Sequence, residues 1–137
     1  MAFYPYLNFG GNCREAFARY HEIVGGDLQM MGFSDVPEGE DVPPGMDGMV
    51  ANAALVMADG DMIMGSDDPG DTFTPAKGMY VNCTVDDVAE ADRIFEALAD
   101  GGSIEMAIDE VFWSPRFGIC VDRFGTPWMV NTAPSDG

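Results

Sequence analysis

Apolar residues recur at helical spacing in two stretches of the chain and alternate with polar ones in much of the rest. Cys13, Ala16, Phe17, Tyr20, Ile23 and Val24 form one stripe and Val88, Ala91, Ile94, Phe95 and Leu98 a second, each predicting an amphipathic helix. Asn12 with Glu15, and Asp87 with Glu90, stand ahead of these stripes at capping-box spacing. Alternation predicts two-faced strands. Phe3, Pro5, Leu7 and Phe9 oppose Tyr4, Tyr6 and Asn8, and Met79, Val81, Cys83 and Val85 oppose Tyr80, Asn82 and Thr84. With the aliphatic sides packed on the helices, Tyr6, Asn8, Tyr80 and Asn82 share the opposite face. Met62, Met64 and Ser66, then Pro127, Met129 and Asn131, extend that face on the later strands.

The two halves repeat one plan. Residues 6–30 and 80–106 both run strand, cap, helix, Gly-Gly, strand, with Tyr6 and Asn8 answering Tyr80 and Asn82, and Gly25-Gly26 answering Gly101-Gly102. Asp59-Gly60 and its strand through Met64 answer Phe124-Gly125 and its strand through Met129. A repeat of about 65 to 75 residues is too long for a solenoid unit and implies two fused half-modules sharing one sheet with a site between them. The expected fold is α+β: eight strands in a curved mixed sheet, with both helices on its convex side. One domain spans 1–137, with module one at 1–67, a linker at 68–77 and module two at 78–133. Pro, Gly and acid over 34–48 predict a mobile loop inside module one.

Composition narrows the partners. At 137 residues the chain can bury a core without staples. Acidic side chains outnumber basic ones 24 to 6, for a net charge of -18, which repels phosphate backbones and anionic lipid. The acids are scattered as a solvated skin, read either as plain solubility or as adaptation to high salt. Three widely spaced cysteines, Cys13, Cys83 and Cys120, predict reduced thiols packed as small apolar groups in a cytoplasmic protein. No basic-then-apolar leader and no long apolar run predicts export or a membrane anchor.

The stretches PYLNFGGNCREAFARYHEIVGG, IMGSDDP and IEMAIDEVFWSPRFGICVDRFGTPWMVN resemble the PhnB-like branch of the vicinal oxygen chelate superfamily, which includes glyoxalase I, bleomycin-resistance proteins and extradiol dioxygenases. The βαβββ duplication has the same resemblance. Some members of that branch carry a name referring to demethylubiquinone methylation, yet no glycine-rich strand-to-helix loop for a methyl donor is found in this sequence. In the superfamily's enzymes, the resemblance implies, four His or Glu ligands from the first and last strands of each module hold a metal with open positions for substrate. Here those slots fall at Pro5 or Tyr6, near Met64, at Tyr80 and at Met129, and thioethers and neutral phenols are poor ligands for Zn, Ni, Mn or Fe(II). The single histidine, His21, lies on the first helix beside Tyr20 and reads as a surface or cap residue. Neither a metal nor any other cofactor is expected.

The face left over is polar, uncharged and rich in methionine, of which the chain has 11. It suits a flat or flexible ligand, or equally serves as core filling. Acid-base chemistry has candidates in Glu105, Asp109, Glu110 and Asp67. Glu110 shares strand parity with Ile104, Met106 and Ile108, so it turns to an apolar surface as a general base, pairs with Arg116, or lies at a strand end in water. Phe112 and Trp113, just ahead of a Ser-Pro turn, either cap the cavity or form core or dimer contacts. No nucleophile–histidine pair can be assembled. Two main function classes stand: a metal-free small-molecule binding protein, and a metal-dependent lyase, isomerase or dioxygenase with non-standard ligands. A scaffold domain with a vestigial cavity is a third. The superfamily resemblance and the exposed Phe112 and Trp113 predict a homodimer.

Overall fold

Each apolar stripe folds as a helix over a four-stranded sheet. The computed structural model describes residues 1–35, 48–68 and 73–133. The loop expected over 34–48 lies, except at its ends, outside the described residues, and so do residues 69–72 of the linker. The chain divides into two compact units, Met1–Pro75 and Ala76–Gly137. The first holds β1 (Tyr6–Phe9), α1 (Cys13–Val24), β2 (Asp27–Gly32), β3 (Val50–Val56) and β4 (Met62–Asp67). The second holds β5 (Val81–Val85), α2 (Val88–Ala99), β6 (Ser103–Val111), β7 (Ser114–Val121) and β8 (Pro127–Thr132). The expected mixed sheet is built as two four-stranded sheets, ordered β1-β4-β3-β2 and β5-β8-β7-β6. In each, first and last strands pair in parallel while the other neighbours are antiparallel.

The same packing device recurs in both units. Cys13, Ala16, Phe17, Tyr20 and Ile23 of α1 are buried with Phe9, Val50, Ala53 and Leu55 of the sheet beneath. Phe17 meets Phe9 and Tyr20 edge to face, with ring centroids 6.0 and 5.6 Å apart. Its ring lies on Gly65 of β4, where an added Cβ would sit 2.7 Å from the ring and 2.8 Å from the Leu7 carbonyl oxygen. Phe95 of α2 lies on Gly118 of β7 in the same manner, 2.8 Å from an added Cβ. Each buried aromatic ring contributes roughly 1.5 to 3 kcal/mol by burial, and each requires a strand residue without a side chain beneath it.

The helix starts differ from the expected pair of capping boxes. At α2 the Asp87 carboxylate accepts the Glu90 N–H at 3.1 Å, as the spacing predicts. At α1 the Asn12 side chain makes no cap bond. Asp67, at the end of β4, replaces it: one carboxylate oxygen accepts the N–H groups of Gly11 and Cys13 at 3.0 and 2.9 Å, and the other accepts the Val50 N–H at 2.9 Å. Its register partner is Phe9, so its side chain emerges on the helix-covered face beside the first turn of α1. The strand openings also differ. Pro5 has no N–H for the ladder, so β1 begins at Tyr6 and leaves Phe3 outside and 89% exposed. Met79 and Tyr80 likewise precede β5.

Candidate functional site

Residues paired across neighbouring strands share a face, so the register defines what each sheet presents on the side away from its helix. In the first unit one rung runs Tyr6, Met64, Ala54, Gln29, and the next pairs Asn8 with Ser66. Met62 lies on the same side, opposite Val56. Tyr6 and Asn8 are exposed and Met62, Met64 and Ser66 half-buried. The Asn8 amide donates to the Asp68 carboxylate at 3.0 Å.

In the second unit the matching rungs run Asn82, Met129, Ile119, Met106 and Thr84, Asn131, Phe117, Asp109. Asn82, Thr84 and Asn131 close a three-membered ring of hydrogen bonds. The Asn82 amide donates to the Thr84 hydroxyl at 3.0 Å, that hydroxyl donates to the Asn131 carbonyl at 2.8 Å, and the Asn131 amide donates back to the Asn82 carbonyl at 2.6 Å. The Tyr80 hydroxyl, just before the strand, donates to Glu105 at 3.3 Å. Pro127 shares the parity of Met129 but is buried.

The repeat register shifts by two residues. Tyr6 pairs with Met64, whereas Asn82, not Tyr80, pairs with Met129. Met64 and Met129 each follow a turn glycine at the same distance, Gly60 and Gly125, both with positive φ. Asn82 is therefore the counterpart of Tyr6, Thr84 of Asn8 and Asn131 of Ser66. Because the strand period is two, this slip keeps every residue on its expected face. Thr84, not singled out with its neighbours from the sequence, is the member that joins the two asparagines.

Of the environments expected for Glu110, the structure shows the exposed end of a strand. The β6–β7 ladder shifts register three times, so Ile104 pairs with Cys120 on the helix-covered side while Met106 pairs with Ile119 on the open side. A bulge re-aims everything after it, and parity counted along β6 loses its meaning. Glu110 is exposed. Arg116, the partner in the other alternative, bonds Asp92 of α2 through Nε at 3.0 Å. Phe112 and Trp113 form the β6–β7 turn itself, and Phe112 is 96% exposed. The rings stack edge to face in series, Phe112 to Trp113 at 4.6 Å and Trp113 to Phe117 at 5.4 Å, which brings Trp113 beside the Thr84–Asn131 rung. His21 is exposed, with Nε2 3.1 Å from the Gly26 carbonyl oxygen.

Two buried carboxylates escaped the sequence reading as structural groups: Asp67, described above, and Asp122. Asp122 accepts the N–H groups of Phe124 and Thr126 at 2.9 and 3.0 Å and the Trp128 indole N–H at 2.8 Å. The Asp-x-x-Gly turn ahead of Pro127 is the signal that could have found it. Burial pushes the Cys13 thiol up to about 12 and the Cys120 thiol up to about 11, and raises Cys83 as well. All three therefore stay protonated at neutral pH and lack thiolate reactivity.

Among the described residues no three His, Cys, Asp or Glu side chains come close enough to hold a metal ion together. At the paired positions of first and last strands stand Tyr6 with Met64 and Asn82 with Met129. Phenol, amide and thioether do not fit a divalent metal of the superfamily type. A methyl donor fits no better: the strand-to-helix turn at Gly10-Gly11 gives its Gly11 N–H to Asp67, and that at Asp87 caps α2. No helix among the described residues is long and apolar enough to cross a membrane.

Two βαβββ units, each a mixed sheet under one helix, define the glyoxalase/bleomycin resistance/dioxygenase fold. A family enzyme of that description from Burkholderia phytofirmans PsJN shares it at a TM-score of 0.64 and 16% identity, over 96% of this chain and 99% of the other, a likeness of fold alone. Within that fold the chain belongs to the PhnB-like family, whose model, described as 3-demethylubiquinone-9 3-methyltransferase, matches residues 1–131. It is similar to protein PA1353 from Pseudomonas aeruginosa, with 42% identity, a TM-score of 0.89 and coverage of 98% of this chain and 99% of that one. It is also similar to a putative 3-demethylubiquinone-9 3-methyltransferase, PhnB protein, from Bacillus cereus, at 27% identity and a TM-score of 0.76, over 97% of this chain and 100% of the other.

Proposed function

We propose that this PhnB-like protein binds a small, uncharged or weakly polar aromatic molecule, without a metal, on the open faces of its sheets. The observation that carries this reading is the chemistry of the central rungs: Tyr6 with Met64 in one unit, and Asn82, Thr84 and Asn131 beside Met129 in the other, with no charge among them. Carboxylates lie at the margins, among them Asp68 beside Asn8, Asp109 and Glu105. A neutral flat ligand gains apolar contact with the thioethers and hydrogen bonds from the amides. An anion would be buried without an opposing charge, at a cost of several kcal/mol. The methyl transfer in the family description is not adopted, because both strand-to-helix turns are committed to capping. Glu110, exposed on β6, has no role in this reading.

The test is a thermal-shift screen of neutral against anionic aromatic compounds, followed by titration. Neutral compounds should raise the melting temperature and anions should not. Asn82→Leu should keep the fold and weaken binding by about 1 to 3 kcal/mol, through the lost amide and the opened ring. Preference for anions, or unchanged affinity in the variant, would place the site elsewhere. Stoichiometric Zn, Ni, Mn or Fe surviving dialysis would favour a metal-dependent lyase, isomerase or dioxygenase instead.

The same reading includes a cytoplasmic homodimer. Cys13, Cys83 and Cys120, all free, suit a reducing compartment. Phe112 and Trp113, in contact with half-buried Phe117, give exposed aromatic rings that pairing would cover. Sedimentation at micromolar concentration in moderate salt should return a dimer mass, and Phe112→Ser should shift it toward monomer. A monomer at all concentrations would remove the dimer from the proposal.

A further inference from the structure

We propose that the open face of the second unit recognises the amide edge of a flat lactam or aromatic carboxamide through Asn82, Thr84 and Asn131. This rests on the binding reading above and narrows its ligand class. Within the ring each side chain uses one donor and one acceptor. Each asparagine keeps a spare N–H and a spare carbonyl lone pair. Turning both amides over and rotating the hydroxyl reverses the ring with every bond retained. The spare donor and acceptor then exchange places.

Such a surface matches a ligand whose own edge carries a donor and an acceptor side by side. A lactam presents adjacent N–H and C=O in one plane and fits either polarity of the ring. A ketone or an ether satisfies half of it. An ionised carboxylate offers no donor and carries its charge next to Asp109, which shares the Thr84–Asn131–Phe117 rung. Flatness is set by the neighbours: Phe117 stands opposite Asn131, Trp113 lies 5.4 Å from Phe117, and Met129 and Ile119 form the adjoining rung. Ring and aromatic wall meet on one face, so hydrogen bonding at an edge and contact along a plane are available to one molecule.

The duplication supplies an internal comparison. At the counterpart positions of the first unit stand Tyr6, Asn8 and Ser66, and there Asn8 turns to the Asp68 carboxylate. The strand pairing around both sets is the same. Sheet formation therefore does not require the ring. Asn82 is exposed and Asn131 half-buried on strands, where β-branched or aromatic residues would serve at least as well. Because the ring holds the amides upright before a ligand arrives, less side-chain freedom is lost on binding.

The test compares three probes by calorimetric titration of the full chain: 2-quinolone, 1-methyl-2-quinolone, which has lost the N–H, and quinoline, which has no lactam. The lactam should bind about 10-fold more tightly than its N-methyl derivative, the effect of one hydrogen bond to a desolvated partner. Thr84→Val opens the ring with little change of shape, and should erase that preference. Equal affinity of the two quinolones for the unmodified protein would overturn the proposal without any variant. A preference that survives Thr84→Val would overturn the role of the ring. If quinoline binds in either case, the broader reading stands while this one falls. If none of the three binds, both fall.

Discussion

Replacing Asp67 with alanine should cost on the order of 3 to 9 kcal/mol of stability, because three backbone N–H groups lose their acceptor at about 1 to 3 kcal/mol each. The groups are those of Gly11, Cys13 and Val50, and Asp67, Cys13 and Val50 are all buried, so water cannot readily replace the carboxylate. That is a large fraction of the stability of an ordinary domain, about 5 to 15 kcal/mol. The loss should appear as a fall of about 10 °C or more in melting temperature and a matching shift of the urea midpoint. Asp67→Asn should cost less. Its carbonyl can still serve Gly11 and Cys13, while its amide group faces the Val50 N–H donor to donor. Asp68→Ala, next in sequence but bonded to exposed Asn8, is the control and should change stability by less than about 1 kcal/mol. A value for Asp67→Ala as small as that control would show that the carboxylate does not hold the start of α1.

Met129→Glu should abolish aromatic binding, with a loss of about 100-fold or more, while the protein stays folded. Met129 is half-buried in the rung between Asn82 and Ile119, on the side away from α2. In the free protein a carboxylate there reaches water and costs little, about 1 kcal/mol or less. Under a docked neutral ring it must be desolvated with no cation to meet it, at several kcal/mol. Met129→Leu keeps an apolar side chain of similar volume and should bind within a few-fold of the parent. The check is titration of the best compound from the thermal-shift screen into all three proteins, with melting curves to establish folding. Equal affinity for the glutamate variant would mean that this face is not where the ligand docks.

The elements and their inward faces were legible because their signals are local. The stripes Cys13 to Ile23 and Val88 to Leu98 became α1 and α2 with those residues facing the sheets, apart from Val88, which stays exposed at the start of its helix. The alternation of Leu7 and Phe9 against Tyr6 and Asn8 held through β1, and a two-residue error in matching the repeats did no harm because strand faces recur every two residues. Parity failed in β6, where bulges place Ile104 and Met106 on different faces. A bulge depends on how two strands fit each other and leaves no fixed mark in either one.

The sequence by itself determined the duplication, the helices, most of the strands and the methionines and neutral polar residues on the faces turned away from the helices, since each follows from spacings of a few residues. Tertiary structure decided which distant groups meet. It placed Asp67 rather than Asn12 at the start of α1, joined Asn82 and Thr84 to Asn131, and sent Arg116 to Asp92. Those contacts span 24 to 54 positions along the chain. Local spacing cannot encode them, because they exist only once the parallel pairings of first and last strands have set the register of each sheet.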